Sequence, residues 1–568
     1  MDDLRRFLVD YDLAMLRALA RNRGIALITN VHTEAVEQLA LALRDPVSVR
    51  TALARLSPEA RRALDTLLAA GGRMRAPQFA RAFGQVRPMG PGRLEREEPW
   101  RQPASSAEEL WYAGLIYRAF AQHDGGPGEF VFVPDDLRSL LPEPQQPEAR
   151  FRVEPVPPPE GAPATAGDEG HSPLVLDLFA YLVHVQTHDA RPGRPLPGLA
   201  GADQDRLDLV RHLAAQLGLV VQEEGLLRLV AAPVKRWLVA SPARQLAALQ
   251  EAWRDDSAWI DLCHVPGLAC DEATPWLHRY DPVAARRALL SLLARGPAGD
   301  WWSVDAFVDA VRQVHPDFQR PDGDYDSWYI RDAESGDYLS SFQSWDAVEG
   351  ALVRDVLARV LSWLDVVQAA PGADGSVARL TAAGRRFLEL APAAPEAAPS
   401  PSLTIRPDML VEVPPPANLY TCFQLERFAD AVGRRAAGPG RATGAEPWRY
   451  RLTVGGLGRA LGRGVRVEQV LAFLRQASDD GLPVNVAGQL QLWAGRYGQV
   501  ELEEMALLTV RSERVLKELS VLPETWPLIG RILSPTTALI RKAHLPRLRK
   551  VLRELGFLPF DQHEPDQL

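Results

Sequence analysis

The pattern of apolar and polar positions predicts a structural unit of helices followed by a β-hairpin. Its first copy spans residues 57–134. Ser57-Pro58-Glu59 is typical of a helix start, because the serine can cap free N–H groups and the acid suits the helix dipole. Two short helices and two apolar strands follow. The expected helices end at Gly71-Gly72, run from Pro77 to Gly84, and run from Ser105 or Ser106 to Gly114; the expected strands are 115–120 and 130–133.

The same order recurs twice further along the chain. The second copy has predicted helices at 174–185 and 203–217 and strands at 219–221 and 226–230. The third has helices at 282–295, 304–314 and 347–364 and strands at 366–369 and 377–380. Three helices followed by a hairpin is the plan of a winged helix. The order of elements repeats while the residues do not, so we infer a structural repeat.

Two Pro/Ala-rich stretches without apolar periodicity are predicted to be extended linkers. They divide the chain into four folded parts. The expected organisation is an N-terminal helical and winged-helix-like module at 1–141, a linker at 142–173, a second module at 174–281, a third at 282–390, a linker at 391–402, and a C-terminal domain at 403–568.

From Leu403 onward the pattern indicates a mixed α and β domain. Residues 403–414 alternate like a half-buried pair of strands, and 425–429 is predicted as a helix. The other expected elements are helices at 454–461, 467–477 and 486–493, strands at 499–502 and 506–510, a helix beginning at Ser534-Pro535, and a helix at 546–555 closed by Gly556.

The stretch at about 403–510 resembles the helicase-associated domain in the N-terminal region of XPB-type DNA-repair helicases, which also occurs in bacterial proteins without the motor. The matching features are Arg406-Pro407-Asp408, the segment 425–428, Tyr450-x-Leu452-Thr453, the Gly464-x-x-x-Glu468-x-x-Leu471-x-x-Leu474 helix and Leu482-Pro483. Gly456 departs from the pattern, which has Ser there. The resemblance implies an accessory role in DNA repair or processing, with DNA or a helicase as partner and no catalytic residues.

The distribution of charge is more informative than the net charge of −9. Residues 1–150 hold equal numbers of basic and acidic residues, whereas 151–400 hold 22 basic and 35 acidic ones. Residues 401–568 hold 22 basic and 18 acidic ones. A phosphate backbone would therefore be repelled by the middle of the chain and tolerated at its C-terminal end.

Cations near the C-terminus are the main candidates for a nucleic-acid contact. They fall around the predicted helix at 546–555, on whose inward side lie Leu548, Val551, Leu552 and Leu555. The alternative is an ordinary solvated helix. The candidate residues are Arg541, Lys542, Arg547, Arg549, Lys550 and Arg553, with Arg73 and Arg75 of the first module as further candidates.

Sequence motifs exclude several kinds of chemistry. Only four lysines occur and none follows a glycine, so a phosphate-binding P-loop is absent and no nucleotide is expected. Cys263-His264 and Cys270 invite a zinc interpretation, but they lack paired Cys-x-x-Cys units. The acidic stretch 322–326 lacks the rest of a calcium-binding loop. We expect no catalytic residue, no metal and no cofactor.

The predicted location is the bacterial cytoplasm, including the nucleoid. No run of about 18 apolar residues occurs, the N-terminus lacks the apolar core of a secretory signal, and cysteines are few. The Arg-rich, Lys-poor usage is typical of a GC-rich bacterial genome.

The expected fold is mainly α with small β-hairpins, in which tandem winged-helix-like modules precede an α+β helicase-associated domain. The favoured function is a non-catalytic accessory protein that contacts DNA or a helicase or other repair protein through its C-terminal domain. The alternative is a protein–protein scaffold or transcriptional regulator without direct DNA contact, which the acidic middle favours.

Overall fold

A computed structural model gives the architecture of the chain. It describes residues 4–123, 126–143, 151–161, 170–193, 203–270, 280–320, 322–373, 375–393, 402–433, 447–500 and 504–559. About 51% is helical and 15% is strand, in small antiparallel sheets. The predicted class, mainly α with small β elements, is therefore confirmed.

Two compact units make up the chain. The first comprises Met1–Leu403, Glu412–Glu426 and Ala431–Arg449, and the second comprises Thr404–Val411, Arg427–Asp430 and Tyr450–Leu568.

The first unit opens with four helices that the sequence placed only in a general helical region. Their buried leucines, such as Leu39, share one core with Leu64 and Phe132 of the first helix-and-hairpin copy. The four helices are Leu4–Val9, Leu13–Arg23, His32–Leu43 and Pro46–Arg55.

The first helix-and-hairpin copy has the predicted order of elements. Ser57 and Ser105 cap their helices as expected, each accepting a backbone N–H on its hydroxyl. The sheet places Gly126–Phe132 between Arg73–Arg75 and Tyr117–His123. The helical elements are Pro58–Ala69, Ala76–Phe83, Pro91–Glu97, Pro99–Arg101, Ser106–Tyr112 and Asp135–Arg138.

The second copy also follows its predicted order, with a hairpin of Val220–Glu223 and Leu226–Leu229. Strand Leu268–Cys270 further on pairs with Ile330–Asp332. The helical elements of this region are Pro173–Thr187, Gln204–Gln216, Ala231–Val239, Pro242–Arg254 and Asp261–His264.

The third copy is built around a long helix that begins at Asp346 and ends at Trp363. It contains two π-helical segments, Asp346–Gly350 and Val356–Val360. The other helical elements are Pro282–Leu293, Val304–Val314, Phe342–Ser344 and Ala382–Phe387. The sheet has the order Val367–Gly372, Gly375–Leu380, Trp301–Ser303, Pro155–Val156.

The first predicted linker is partly packed against this sheet. Phe151 and Val153 are buried, and Pro155–Val156 pairs with residues 301–302. The described part of the stretch is thus extended, as proline predicts, and docked. Residues 144–150, 162–169 and 394–401 of the two predicted linkers lie outside the described residues.

The C-terminal region confirms most of the predicted elements, but two expected helices and one expected strand are wrong or only partly described. Residues 499–500 of the strand expected at 499–502 form a bend, and 501–502 lie outside the described residues. The helix expected at 425–429 is wrong. A helix runs from Leu419 to Leu425 instead, because Asn418 caps its start by accepting the N–H of Thr421. Ala429–Val432 is a strand. The remaining elements are strands Thr404–Ile405, Leu410–Val413 and Trp448–Leu452 and helices Val454–Gly462, Val467–Ala477 and Val484–Arg496.

Residues 504–559, called the C-terminal segment below, form a two-layer unit. Strand Thr537–Arg541 lies between Met505–Thr509 and Ile532–Ser534, and helices Glu513–Val521 and Leu545–Glu554 contribute to the core on one side. Short 3-10 turns, Trp526–Leu528 and Lys542–His544, precede the second strand and the last helix.

The helix expected to begin at Ser534-Pro535 is wrong, because that region is a hairpin. Ala538 and Ile540 are both fully buried while the residues between and beside them are not, and this alternation is that of a strand with one face in a core.

Candidate nucleic-acid interface

The helix Leu545–Glu554, called the basic helix below, has the predicted amphipathic arrangement except at Leu555, which was expected on the inward side and is 40% exposed. Leu548 and Leu552 are buried in the core of the C-terminal segment. Arg547, Lys550 and Arg553 are exposed. Because positions three apart lie on the same side of a helix, these three cations form one surface that faces away from the core.

A shallow surface depression runs along this helix. It has a volume of about 540 Å³ and is lined by Pro546, Arg549, Lys550, Arg553 and Glu554. Glu554 is the acidic member, and its carboxylate lies 3.9 Å from the Lys550 ammonium. The depression thus combines three cations with one carboxylate, which suits an anion better than a cation.

Arg541 and Lys542 precede the basic helix and are exposed. The Lys542 ammonium donates to Glu504 at 2.7 Å, and this contact raises the pKa of Lys542 and lowers the pKa of Glu504. Both side chains are more than two-thirds exposed, so water and salt screen the pair. A phosphate group can compete with such a carboxylate.

The charge of the whole C-terminal segment is strongly positive. It contains ten arginines and lysines and five glutamates, whereas the complete chain is net negative. Six of the eight predicted site residues therefore lie together in a small basic unit.

The other two, Arg73 and Arg75, belong to the first unit and are engaged there. Arg75 is 8% exposed, its guanidinium forms an ion pair with Asp322 at 2.7 Å, and it lies over the ring of Phe130. Arg73 lies over the same ring, with its guanidinium carbon 5.8 Å from the centroid. A Cβ at Gly128 would fall 1.9 Å from the Arg75 guanidinium, which would have to shift to admit it.

Three further arginines of the first module are also paired. Arg81 contacts Asp317, Arg87 contacts Glu108, and Arg93 contacts Glu97. These contacts place a carboxylate beside each of the three arginines, and they weaken the attraction of this module for phosphates.

The third helix of the first copy, Ser106–Tyr112, is covered. Glu108 is fully buried, and burial acts to raise its pKa. Hydrogen bonds from Arg87 and from the Ala104 N–H outweigh this effect, so the pKa of Glu108 is lowered. Glu109 accepts both the N–H and the hydroxyl of Ser57, each at 2.7 Å. Glu108 and Glu109 thus hold this helix in place.

The corresponding helices of the other two copies are covered in the same way. Asp205, at the start of the second copy's Gln204–Gln216, accepts Arg359 of the third copy's long helix at 2.6 Å. Gln250 donates to the carbonyl of Leu364 at the end of that helix. Each of these helices therefore makes at least one polar contact inside the first unit.

The candidate metal ligands do not assemble into a site. Cys263 and Cys270 form a disulfide, and the ring of His264 stacks on Trp259 with 3.7 Å between centroids. Within the described ranges, no group of three or more His, Cys, Asp or Glu side chains could hold a metal ion. Asp271, Glu272 and His278 lie outside those ranges. This disulfide does not favour the predicted cytoplasmic location, because disulfides are rare in reducing compartments. The location therefore stays a prediction.

The acidic stretch 322–326 is used inside the protein. Asp322 pairs with Arg75, and Asp324 accepts the N–H groups of Asp326 and Ser327. Burial acts to raise the pKa of Asp324, but these hydrogen bonds outweigh it, and the pKa is lowered. The stretch is a turn that closes on itself and docks on the first module.

Comparison with known proteins places a helicase-related region at the C-terminal end. Residues 403–533 match the family described as the helicase conserved C-terminal domain. The match ends before strand Thr537–Arg541 and the basic helix. No curated protein matches the chain. Across the described residues, no helix has the length and apolar character needed to cross a membrane.

Proposed function

We propose that this chain is a non-catalytic accessory protein of DNA repair or processing, which contacts nucleic acid through the basic helix. The observation that carries the proposal is the surface of Arg547, Lys550 and Arg553, exposed on a helix whose other side is buried. Arg541, Lys542 and Arg549 extend it. The neighbouring helicase-related region, residues 403–533, supports a role beside a helicase.

The binding mode we propose is contact with phosphates and without base reading. Arginines and lysines on one exposed helix neutralise phosphates, and this term is independent of sequence. No acid-base pair or nucleophile is assigned to the chain, so the chemistry would belong to the partner helicase.

We further propose that the three helix-and-hairpin copies are winged helices used for packing. A winged helix reads DNA by placing its third helix in the major groove, which requires that helix to be exposed. Here Glu108, Asp205 and the end of the long helix at Leu364 are bound within the first unit. The first unit would then be a scaffold.

The test measures the binding of labelled DNA to the full chain by fluorescence anisotropy. Single-stranded and double-stranded DNA are each titrated at salt concentrations from 50 to 200 mM. For double-stranded DNA, four phosphate contacts would give a log–log slope of about −3.6 and an affinity loss of about 150-fold over this range. A slope near zero, or no binding at 50 mM salt, would overturn the proposal.

Charge reversal locates the contact. Replacing Arg547, Lys550 and Arg553 by Glu should abolish binding, because repulsion replaces three phosphate contacts. The matched control reverses Arg475 and Arg496, exposed arginines at the ends of two other helices of the second unit, and should keep binding within about threefold. If both variants lose binding equally, the basic helix is not the site.

The second candidate function is a protein–protein scaffold without DNA contact. The acidic middle of the chain and the buried third helices favour it. An intact protein that fails to bind either DNA at 50 mM salt would support this function.

A further inference from the structure

We propose that the outer face of the three-stranded sheet in the C-terminal segment binds an acidic amphipathic α-helix of a partner protein. This inference does not depend on nucleic-acid binding. It rests on the exposed apolar residues of the sheet, on its layered structure and on the charge around it.

The register of the strands defines the outer face. In strand Met505–Thr509, Ala506 and Leu508 pack against the core, so Met505, Leu507 and Thr509 point to the opposite side. Leu507 is 60% exposed. One face of this strand is therefore covered by helices, and the other carries aliphatic side chains into solvent.

The central strand continues the same face. Leu507 is the direct cross-strand partner of Leu539, and Met505 is the partner of Arg541. On the other side of the strand, Leu539 exchanges backbone hydrogen bonds with Gly530 and Arg531, both at 2.8 Å. Cross-strand partners share a face, so leucines occupy its centre and arginines its border.

The apolar character of this face is unusual for a sheet side exposed to water. Antiparallel sheets with one covered face normally carry polar residues on the other. The edge strand adds Leu533, which is 53% exposed, whereas Ile532 is the register partner of Ala538 on the inner face. A second layer packed on this face would bury these side chains, and about 25 cal/mol is gained for each Å² of apolar surface removed from water.

The size and charge of the face select the partner. Three strands about 4.8 Å apart match a helix of two to three turns lying across them. The C-terminal segment carries twice as many basic as acidic residues, and Arg531 and Arg541 border the leucines. The complementary element is a helix with leucines on one side and carboxylates on its flanks.

This face and the basic helix lie on opposite sides of the segment. The basic helix contributes Leu548 and Leu552 to the core, which contacts the inner face of the sheet through Ile540. Its cations point away from that core. Nucleic acid on the basic helix and a helical partner on the outer face can therefore be bound at the same time.

The experiment measures binding of a labelled 14-residue peptide to the full chain by fluorescence anisotropy. The peptide has leucines at positions i, i+3, i+4 and i+7 and glutamates elsewhere. We expect it to bind at least tenfold more tightly than a scrambled peptide of the same composition or one with lysines in place of glutamates. Leu507→Glu should weaken binding at least tenfold.

Controls separate this site from the basic helix. Val521→Glu, at a 79% exposed position on the helix Glu513–Val521, should leave peptide binding within twofold. Charge reversal of Arg547, Lys550 and Arg553 should also leave it within twofold, while Leu507→Glu should leave DNA binding unchanged. Circular dichroism of Leu507→Glu should match the parent, because the side chain is mostly in solvent.

Four results would overturn the inference. The first three are equal binding of the designed and scrambled peptides, peptide binding that Leu507→Glu leaves unaltered, and loss of peptide binding when the charges of the basic helix are reversed. The fourth is a lower molecular mass of the Leu507→Glu variant than of the parent in sedimentation, which would mean that a second copy of the chain covers this face.

Discussion

Arg286 should be essential to the stability of the first unit. Its side chain is 2% exposed, and its guanidinium donates to the carboxylate of Asp261 at 2.6 Å and to the carbonyls of Trp253, Asp256 and Trp259. The Trp253 indole N–H holds the other oxygen of Asp261 at 3.0 Å. The network is complete only while both charges are present.

Replacing Arg286 by methionine keeps an unbranched chain of similar length but removes the charge. Asp261 would remain as a buried carboxylate with one donor, and breaking a buried pair in this way lowers stability by about 3–5 kcal/mol. The double variant Arg286→Met, Asp261→Asn removes both charges, and we expect it to regain at least half of the loss, because an amide can still accept the indole N–H.

Urea unfolding followed by tryptophan fluorescence measures both variants. Twelve of the fourteen tryptophans fall in the ranges of the first unit, so the signal reports mainly on that unit. A loss below about 1 kcal/mol for the single variant, or a double variant no more stable than the single one, would refute the reasoning, since the ion pair would then contribute little to the fold.

Two other substitutions test local features. Burial raises the pKa of Asp355 to about 6 despite the opposing effect of Arg359, so its ionisation destabilises the fold as the pH rises from about 4 to 6. Asp355→Asn should therefore raise the free energy of unfolding by about 3 kcal/mol at pH 7 and leave it nearly unchanged near pH 4; an equal gain at both pH values would contradict this. At Gly456 a Cβ would lie 2.6 Å from the carbonyl oxygen of Phe428, whereas nothing lies within 4 Å of one at Gly458 in the same helix. Gly456→Ala should lower the melting temperature and Gly458→Ala should raise it; a gain from both would show that the carbonyl can move aside.

Helices with strong local signals were predictable from sequence. Helices Val304–Val314 and Val467–Ala477 have the predicted bounds, because apolar spacing and flanking residues mark both ends. The structure also explains why glycine replaces the expected Ser at 456, since the Phe428 carbonyl leaves no room for a side chain. The two wrong helices lay in short apolar stretches, where period two and period 3.6 are difficult to distinguish.

The functional surface was predictable only in part. The basic helix follows from its own sequence, because its apolar and cationic positions are local. The engagement of Arg75 by Asp322 does not, because these residues are distant in the chain and only the packing of the first unit brings them together. The alternation of residues in Met505–Thr509 indicates a strand with two different faces. The sequence does not show whether Met505, Leu507 and Thr509 or the residues between them are buried, because this depends on the helices that cover one side of the sheet.

The arrangement of buried and exposed helices constrains the function of the whole chain. A helix must be exposed to enter a groove about 12 Å wide, and the third helices of the first unit are held by contacts such as Arg359–Asp205. Any nucleic-acid contact must then use another surface.

The C-terminal segment offers one on the basic helix and an apolar surface on the far side of the same two layers. A segment with two such faces can join two partners without moving, and its residues 504–533 belong to the region similar to a helicase domain. We therefore propose that the partner contacts of this chain are concentrated in the C-terminal segment.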